Sequence, residues 1–205
     1  MAKPAVPRTV AVALTGASGV CYGVRLVECL LAADTRVWLL MSAAGRKVLE
    51  HEIGWAVPVR PTLATRFFAE RFGAAPERLQ VFGPRQWTAP VASGSHPPDA
   101  LAVCPCTAGT LASIAAGLSE DLIDRAAAVV LKERRPLILV VRETPLSVIQ
   151  LENMLRLARA GAIVMPASPG FYFAPRGLAD LVDFMVARVL DHLGIEQSLT
   201  PRWGA

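Results

Sequence analysis

Val10-Ala11-Val12-Ala13-Leu14-Thr15-Gly16-Ala17-Ser18-Gly19 carries an unbroken apolar run into a Gly-rich turn. A run that is apolar on both faces is the mark of a strand in a parallel sheet covered on each side. Gly16 and Gly19 permit a sharp turn and close approach of the backbone to a ligand. Ser18 places a hydroxyl near the start of a following helix, where unpaired N–H groups and the helix dipole attract phosphate. The stretch is read as a phosphate-binding βα unit. A plain strand-to-helix turn with a Ser cap would use the same residues.

The ligand narrows by spacing. A dinucleotide fingerprint needs G-x-G-x-x-G and then an acid at the end of the second strand to hold the ribose. Here the glycines are Gly16, Gly19 and Gly23, and the second strand, about Arg36–Met41, runs into Ser42 with no Asp or Glu. NAD is disfavoured. No G-x-x-x-x-G-K-[ST] is present, so an ATP-binding P-loop is absent. A mononucleotide such as FMN stays open.

Helix and strand signals alternate outward from this unit. Strands are expected at about Thr9–Leu14, Arg36–Met41, Leu79–Phe82, Ala100–Cys104, Pro136–Val141 and Ala162–Met165. Helices are expected at Val20–Ala33, Ser42–Glu52 with Ser42 as N-cap, Leu63–Phe72, Thr110–Gly117, Asp121–Glu133, from Thr144-Pro145 to Ala160, and Gly177–Leu193. This order implies a single-domain, doubly wound α/β fold with a parallel sheet over residues 1–205, preceded by a flexible stretch at 1–8. Ligands in such sheets bind beyond the carboxyl ends of the strands. Five groups fall there: Gly16–Ser18, Ser42, Cys106–Gly109, Arg142-Glu143 and the loop Pro166–Arg176. The Pro- and Gly-rich stretch 84–98 is a lid or plain surface.

Composition sets further bounds. The 205 residues suit one domain, and the 53% hydrophobic share exceeds the usual range of about 45–50%. No apolar run reaches the roughly 18 residues that cross a membrane. The first eight residues lack the apolar core of a signal peptide, so a cytoplasmic protein is expected. The apolar surplus points to burial between subunits of a homo-oligomer. A net charge of +4, with 21 basic and 17 acidic residues and no basic tract, gives no case for nucleic acid. A few arginines converging on a phosphorylated small molecule would account for it.

Cys21, Cys29, Cys104 and Cys106 are expected as reduced, mostly buried thiols, with a catalytic thiol at Cys106 the alternative. Cys104-Pro105-Cys106 is one residue too short for C-x-x-C, and His51, His96 and His192 form no cluster, so no metal is expected. Arg142-Glu143 stands where a buried strand leaves the sheet at its ligand edge. An Arg there can hold a phosphate bidentately, and a Glu beside it can donate a proton to a leaving phosphate. Pro169-Gly170-Phe171-Tyr172-Phe173 at the same edge is a hydrophobic plug, a subunit contact or an apolar ligand wall. Trp87, Phe171 and Trp203 would serve equally as core, interface or wall.

Taken together, Thr15–Gly19 with Tyr22-Gly23, Cys104-Pro105-Cys106, Leu131–Leu137, Arg142–Pro145, Pro169–Tyr172 and Arg202-Trp203 resemble the UbiX-type flavin prenyltransferases over about residues 9–203. The resemblance implies a Rossmann-like or flavodoxin-like fold. It implies a metal-independent enzyme that joins a dimethylallyl group from dimethylallyl phosphate to N5 and C6 of reduced FMN. Prenylated FMN would go to a UbiD-type decarboxylase, for example in ubiquinone biosynthesis. It also implies a dodecamer with active sites at subunit interfaces. By matching position, Gly16, Ala17, Ser18, Ser42, Cys106, Thr107, Ala108, Gly109, Arg125 and Arg142 would contact FMN. Lys132, Tyr172 and Arg188 would grip the prenyl phosphate. Glu143 would act as the acid on that phosphate, Glu52 would handle a proton near the flavin, and Trp87 and Trp203 would wall the prenyl pocket. Thr107 and Phe173 depart from the commoner residues of that family.

Two other readings stay in view. One is an FMN-dependent cysteine decarboxylase of the same fold, although the Met165–Gly170 loop lacks the Asn of its Pro-x-Met-Asn motif. The other is a non-catalytic flavin carrier, for which Glu143, Lys132 and Arg188 would be superfluous.

Overall fold

Alternation along β1 (Thr9–Leu14) decides how the two halves of the molecule are packed. Val10, Val12 and Leu14 enter one apolar core, and Ala11 and Ala13 enter a second on the opposite face. The same split recurs in β2 (Arg36–Met41): Val37, Leu39 and Met41 face the first core, and Trp38 and Leu40 face the second. A strand buried on both faces needs apolar residues at every position, which is why its sequence shows no period of two. The computed structural model describes residues 9–75, 77–201 and 204.

The remaining strands are β3 (Leu79–Phe82), β4 (Ala100–Cys106), β5 (Leu137–Val141) and β6 (Ile163–Pro166). All pair in parallel, in the order β3-β2-β1-β4-β5-β6. That is the doubly wound order expected of a Rossmann-like sheet, with the order reversing between β1 and β4. Helices α1 (Val20–Ala32), α3 (Pro61–Phe72) and α7 (Leu178–Leu193) cover the first core, and α2 (Ala43–Ile53) borders it through Leu49. Helices α4 (Ala108–Ala115), α5 (Leu122–Lys132) and α6 (Val148–Arg159) cover the second. No described helix is long and apolar enough to cross a membrane.

Three expectations need correction. The fourth strand runs two residues further than its apolar run, through Pro105 to Cys106, with a register shift against β5 between Val103 and Cys106. Proline has no N–H for the ladder, so the pairing slips there rather than stopping. The sixth helix begins at Val148, not at Pro145. Its start is fixed by a reciprocal cap, in which Ser147 Oγ accepts from Gln150 N–H and Gln150 Oε1 accepts from Ser147 N–H at 2.7 Å. The stretch 84–98 is neither a lid nor loose surface. It is a strap along α5 that buries Ala89, Val91 and Ala92 in the second core, and Leu122 N–H donates to Pro84 O at 2.8 Å.

The apolar surplus shows at α6. Val148 and Ile149 are each 69% exposed, and Leu146, Leu151 and Leu155 are exposed beside them.

Candidate active site

The sheet order sets four strand ends side by side: Ser42 after β2, Thr15 after β1, Thr107 after β4 and Arg142 after β5. Thr15 ties the middle pair together. Its hydroxyl is fully buried, donates to Pro105 O at 2.7 Å and accepts from Thr107 N–H at 2.9 Å. On one flank, Ser42 N–H donates to Leu14 O at 3.1 Å, and Ser42 Oγ caps α2 by accepting from Gly45 N–H at 2.9 Å. On the other, Arg142 N–H donates to Cys106 O at 3.2 Å. Gly16–Ser18, Ser42, Thr107–Gly109 and Arg142-Glu143 therefore share one edge. Sequence reasoning assigns Thr15 no role; a lone hydroxyl closing an apolar strand is the signal available.

Among the helices that start at this edge, α1 and α4 differ in how their positive ends are met. At the start of α1 the N–H groups of Gly19 and Val20 are already met by Glu52 at the far end of α2. The Glu52 carboxylate accepts from Gly19 at 3.0 and 3.1 Å and from Val20 at 2.9 Å. The N–H groups of Gly19 and Val20 are thus capped from within the chain. At α4 the cap is the neutral Thr107, whose Oγ1 accepts from Thr110 N–H at 3.0 Å, and the first turn carries no acid. An anion at this edge finds an uncompensated positive end at Thr107, Ala108 and Gly109.

Arg142 adds a formal charge beside that end. Its Nε is buried and has no hydrogen-bond partner. A buried donor without an acceptor costs about 1–3 kcal/mol, and a bound anion would remove that cost. The donor set therefore fits a phosphorylated mononucleotide. Glu143 is half-buried at the same strand exit and accepts from Thr144 N–H at 3.1 Å. Cys106 contributes only backbone here. Its side chain is fully buried, and burial pushes the thiol up to about 12. Burial and the raised pKa both work against a catalytic thiol at Cys106, since the nucleophile is the thiolate. Ala17 is likewise buried.

The other expected site residues make contacts of their own. Arg125 donates through Nε to Ala92 O at 2.9 Å and so holds the strap. Trp87 sits on the strap, half-exposed. Tyr172 and Arg188, on the loop after β6 and on α7, share a cavity of about 340 Å3 with Phe173, Phe184, Asp191 and Gln197. There Asp191 fixes the guanidinium of Arg188 at 2.9 Å, a pairing visible as an acid three residues on in the helix. Lys132 ends α5, which feeds the start of β5 at the opposite edge of the sheet. It pairs with Glu133 next to Gly94, and nearby Arg135 reaches Asp99 at 3.4 Å. Asp99 in turn accepts from Thr9 N–H at the first residue of β1. Trp203 and Arg202 lie outside the described residues, as do residues 1–8. Among the described residues no cluster of His, Cys, Asp and Glu could hold a metal.

A family model described as Flavoprotein matches residues 3–190. The chain is 50% identical over 198 residues to a Pseudomonas aeruginosa protein named flavin prenyltransferase UbiX, covering 97% of this chain and 95% of that protein. Among solved structures, AnUbiX in complex with FMN and dimethylallyl pyrophosphate is 37% identical, with a TM-score of 0.85, over 97% of this chain and 98% of that one. A dodecameric FMN-dependent UbiX-like decarboxylase from Escherichia coli is 38% identical, with a TM-score of 0.84, over 96% of this chain and all of that one. With a match across most of its length and relatives this close, the chain belongs to the Flavoprotein family.

Proposed function

We propose that this chain is a flavin prenyltransferase that binds FMN and transfers to it the dimethylallyl group of a prenyl phosphate. The observation that carries the reading is the 50% identity, across 97% of the chain, to a flavin prenyltransferase. Reduced FMN, when bound, supplies the nucleophilic ring atoms, proposed as N5 and C6. The chain's own residues position the reactants and manage charge.

The flavin phosphate is placed at the uncompensated start of α4, against Thr107, Ala108 and Gly109, with Arg142 Nε as a further donor. The turn Gly16–Ser18 and Ser42 flank the ring side of the same edge. Arg188 and Tyr172 hold the donor phosphate in the cavity they share. A monophosphate is a poor leaving group, so departing charge needs cations and a proton. Glu143 is assigned as that proton donor. Glu52, already bonded across to α1, keeps the first turn in place and stands where a proton near the flavin could be handled. Trp87 and Trp203 are assigned to the prenyl wall, and Arg125 acts on the site through the strap it holds.

Lys132 lies at the far edge of its own sheet, so a role for it on the donor phosphate requires a second copy of the chain. The exposed apolar face of α6 supports such an assembly, and a dodecamer is proposed by likeness to the E. coli structure. A cytoplasmic enzyme that delivers prenylated FMN to a UbiD-type decarboxylase completes the proposal.

The test is anaerobic incubation with reduced FMN and dimethylallyl phosphate. A flavin heavier by one prenyl unit, with phosphate released, is the expected result. Unmodified flavin with intact donor would leave a flavin carrier.

A further inference from the structure

The loop before α7 folds its aromatic rings onto that helix rather than into solvent. Ala174 N–H donates to Phe171 O at 3.1 Å, closing a turn with Ala174 at φ +54°. The turn directs Tyr172 and Phe173 at Phe184. Phe173 stacks flat on Phe184, with centroids 5.4 Å apart and planes 7° apart. Tyr172 meets both rings edge-on, at 6.0 Å from Phe184 and 6.4 Å from Phe173. The cluster has no slack: a Cβ at Gly170 would lie 2.8 Å from Tyr172 Cε1 and 3.2 Å from Phe184 Cζ. Phe184 is four residues before Arg188 on α7, so the two share a helix face. Tyr172, Phe173, Phe184 and Arg188 line one cavity, yet Tyr172 is itself 66% exposed and sits on a loop, whereas Phe173 is turned onto Phe184.

We infer that Phe173 is a positioning residue. By stacking on Phe184 it fixes the 170–174 turn against α7 and so holds Tyr172 at the cavity that Arg188 lines. The inference rests on the prenyltransferase reading for the identity of the donor, but not for the latch itself. An edge or face contact between rings contributes beyond area burial, and losing it frees a loop that must then be ordered on binding. The effect falls on donor binding, since the flavin edge is built from other elements.

Phe173→Ala should raise the KM for dimethylallyl phosphate about two- to tenfold, with kcat and FMN affinity unchanged within about twofold. Phe173→Tyr, which keeps the stack, should restore the KM. In a Tyr172→Ala background, Phe173→Ala should add nothing, because it acts through Tyr172. A wild-type KM in folded Phe173→Ala, an additive effect in the double variant, or an equal loss of FMN affinity would overturn the inference. Hydrogen exchange gives a readout independent of turnover. The amides of Ala174 and Arg176, bonded to Phe171 O and Asp180 Oδ2, should exchange faster in Phe173→Ala and not in Phe173→Tyr. Unchanged exchange would refute the latch even if the wild-type chain transferred no prenyl group, which would refute the functional reading instead.

Discussion

Thr15→Val is the substitution that most directly tests how the flavin edge is held. It keeps the branched shape of a fully buried side chain and deletes only the hydroxyl. Two partners are then stranded: Pro105 O, which loses a donor at 2.7 Å, and Thr107 N–H, which loses an acceptor at 2.9 Å. Leaving the buried carbonyl unpaired costs about 1–3 kcal/mol. The Thr107 amide is nearer water, so the low end, about 1 kcal/mol, applies to it. Burying a methyl where a hydroxyl had been offsets about 1 kcal/mol. A net loss of about 1–3 kcal/mol corresponds to a fall of about 2–12 °C in Tm for a chain of this length. Urea unfolding should show a lower midpoint with an unchanged slope. FMN titration should show weaker binding, because Thr107 also caps α4 at the proposed phosphate site. Thr15→Ser keeps both hydrogen bonds and should bind FMN as the wild type does, even if the lost methyl costs some stability. A Thr15→Val protein with wild-type midpoint and wild-type FMN affinity would refute the view that this hydroxyl holds β1 and β4 in register at the site.

Three further outcomes are expected. Burial holds the Asp124 carboxyl above its usual pKa despite the hydrogen bond from Ser113 Oγ. The folded chain therefore binds that proton more tightly than the unfolded one, a stabilisation present at low pH and lost as pH rises through the raised value. Asp124→Asn should accordingly be more stable than wild type near neutral pH, with the gap narrowing on acidification; a pH-independent gap in urea midpoints would contradict this. Glu143→Gln should bind FMN normally and transfer the prenyl group about 10²–10⁴-fold more slowly in a single turnover, and a wild-type rate would exclude the proton-donor role. Lys132→Ala and Arg142→Ala chains, each inactive alone, should regain partial activity when co-assembled, since mixed oligomers contain sites with both residues intact; no recovery in verified mixed oligomers would count against Lys132 acting across copies.

The strands are the most legible part of the chain, because strands covered on both faces are apolar almost throughout. Leu79–Phe82 is readable to the residue, and β1 and β2 differ from their sequence expectation at neither end. Errors gather where two signals compete over a few residues. Pro145 resembles a first helical proline, but Ser147 with Gln150 offers a stronger start three residues on, and the structure adopts the cap that satisfies two backbone groups. The strap at 84–98 is ambiguous in sequence because it buries Ala89, Val91 and Ala92 without any regular period.

At the site, residues at strand ends can be placed together from topology alone, since neighbouring parallel strands deliver the loops at their carboxyl ends to one edge. Glu52 cannot be read this way. Its function in the fold depends on where the end of α2 meets the start of α1, a tertiary fact with no local signature. Lys132 is the instructive case. A helix that feeds the next parallel strand must end at the sheet's amino edge, so its position is implied by the βαβ order. Resemblance alone groups it with Arg188 and Glu143. The seven residues of β4 separate the two edges by about 20 Å, beyond the reach of any side chain. A site that needs Lys132 beside the flavin edge therefore cannot be completed within one chain. On the proposed reading, docking of copies so that the amino edge of one sheet meets the carboxyl edge of another would meet that demand and cover the apolar face of α6. Assembly and catalysis would then be selected together, and a surface change on α6 that blocks association should abolish prenyl transfer while leaving each chain folded.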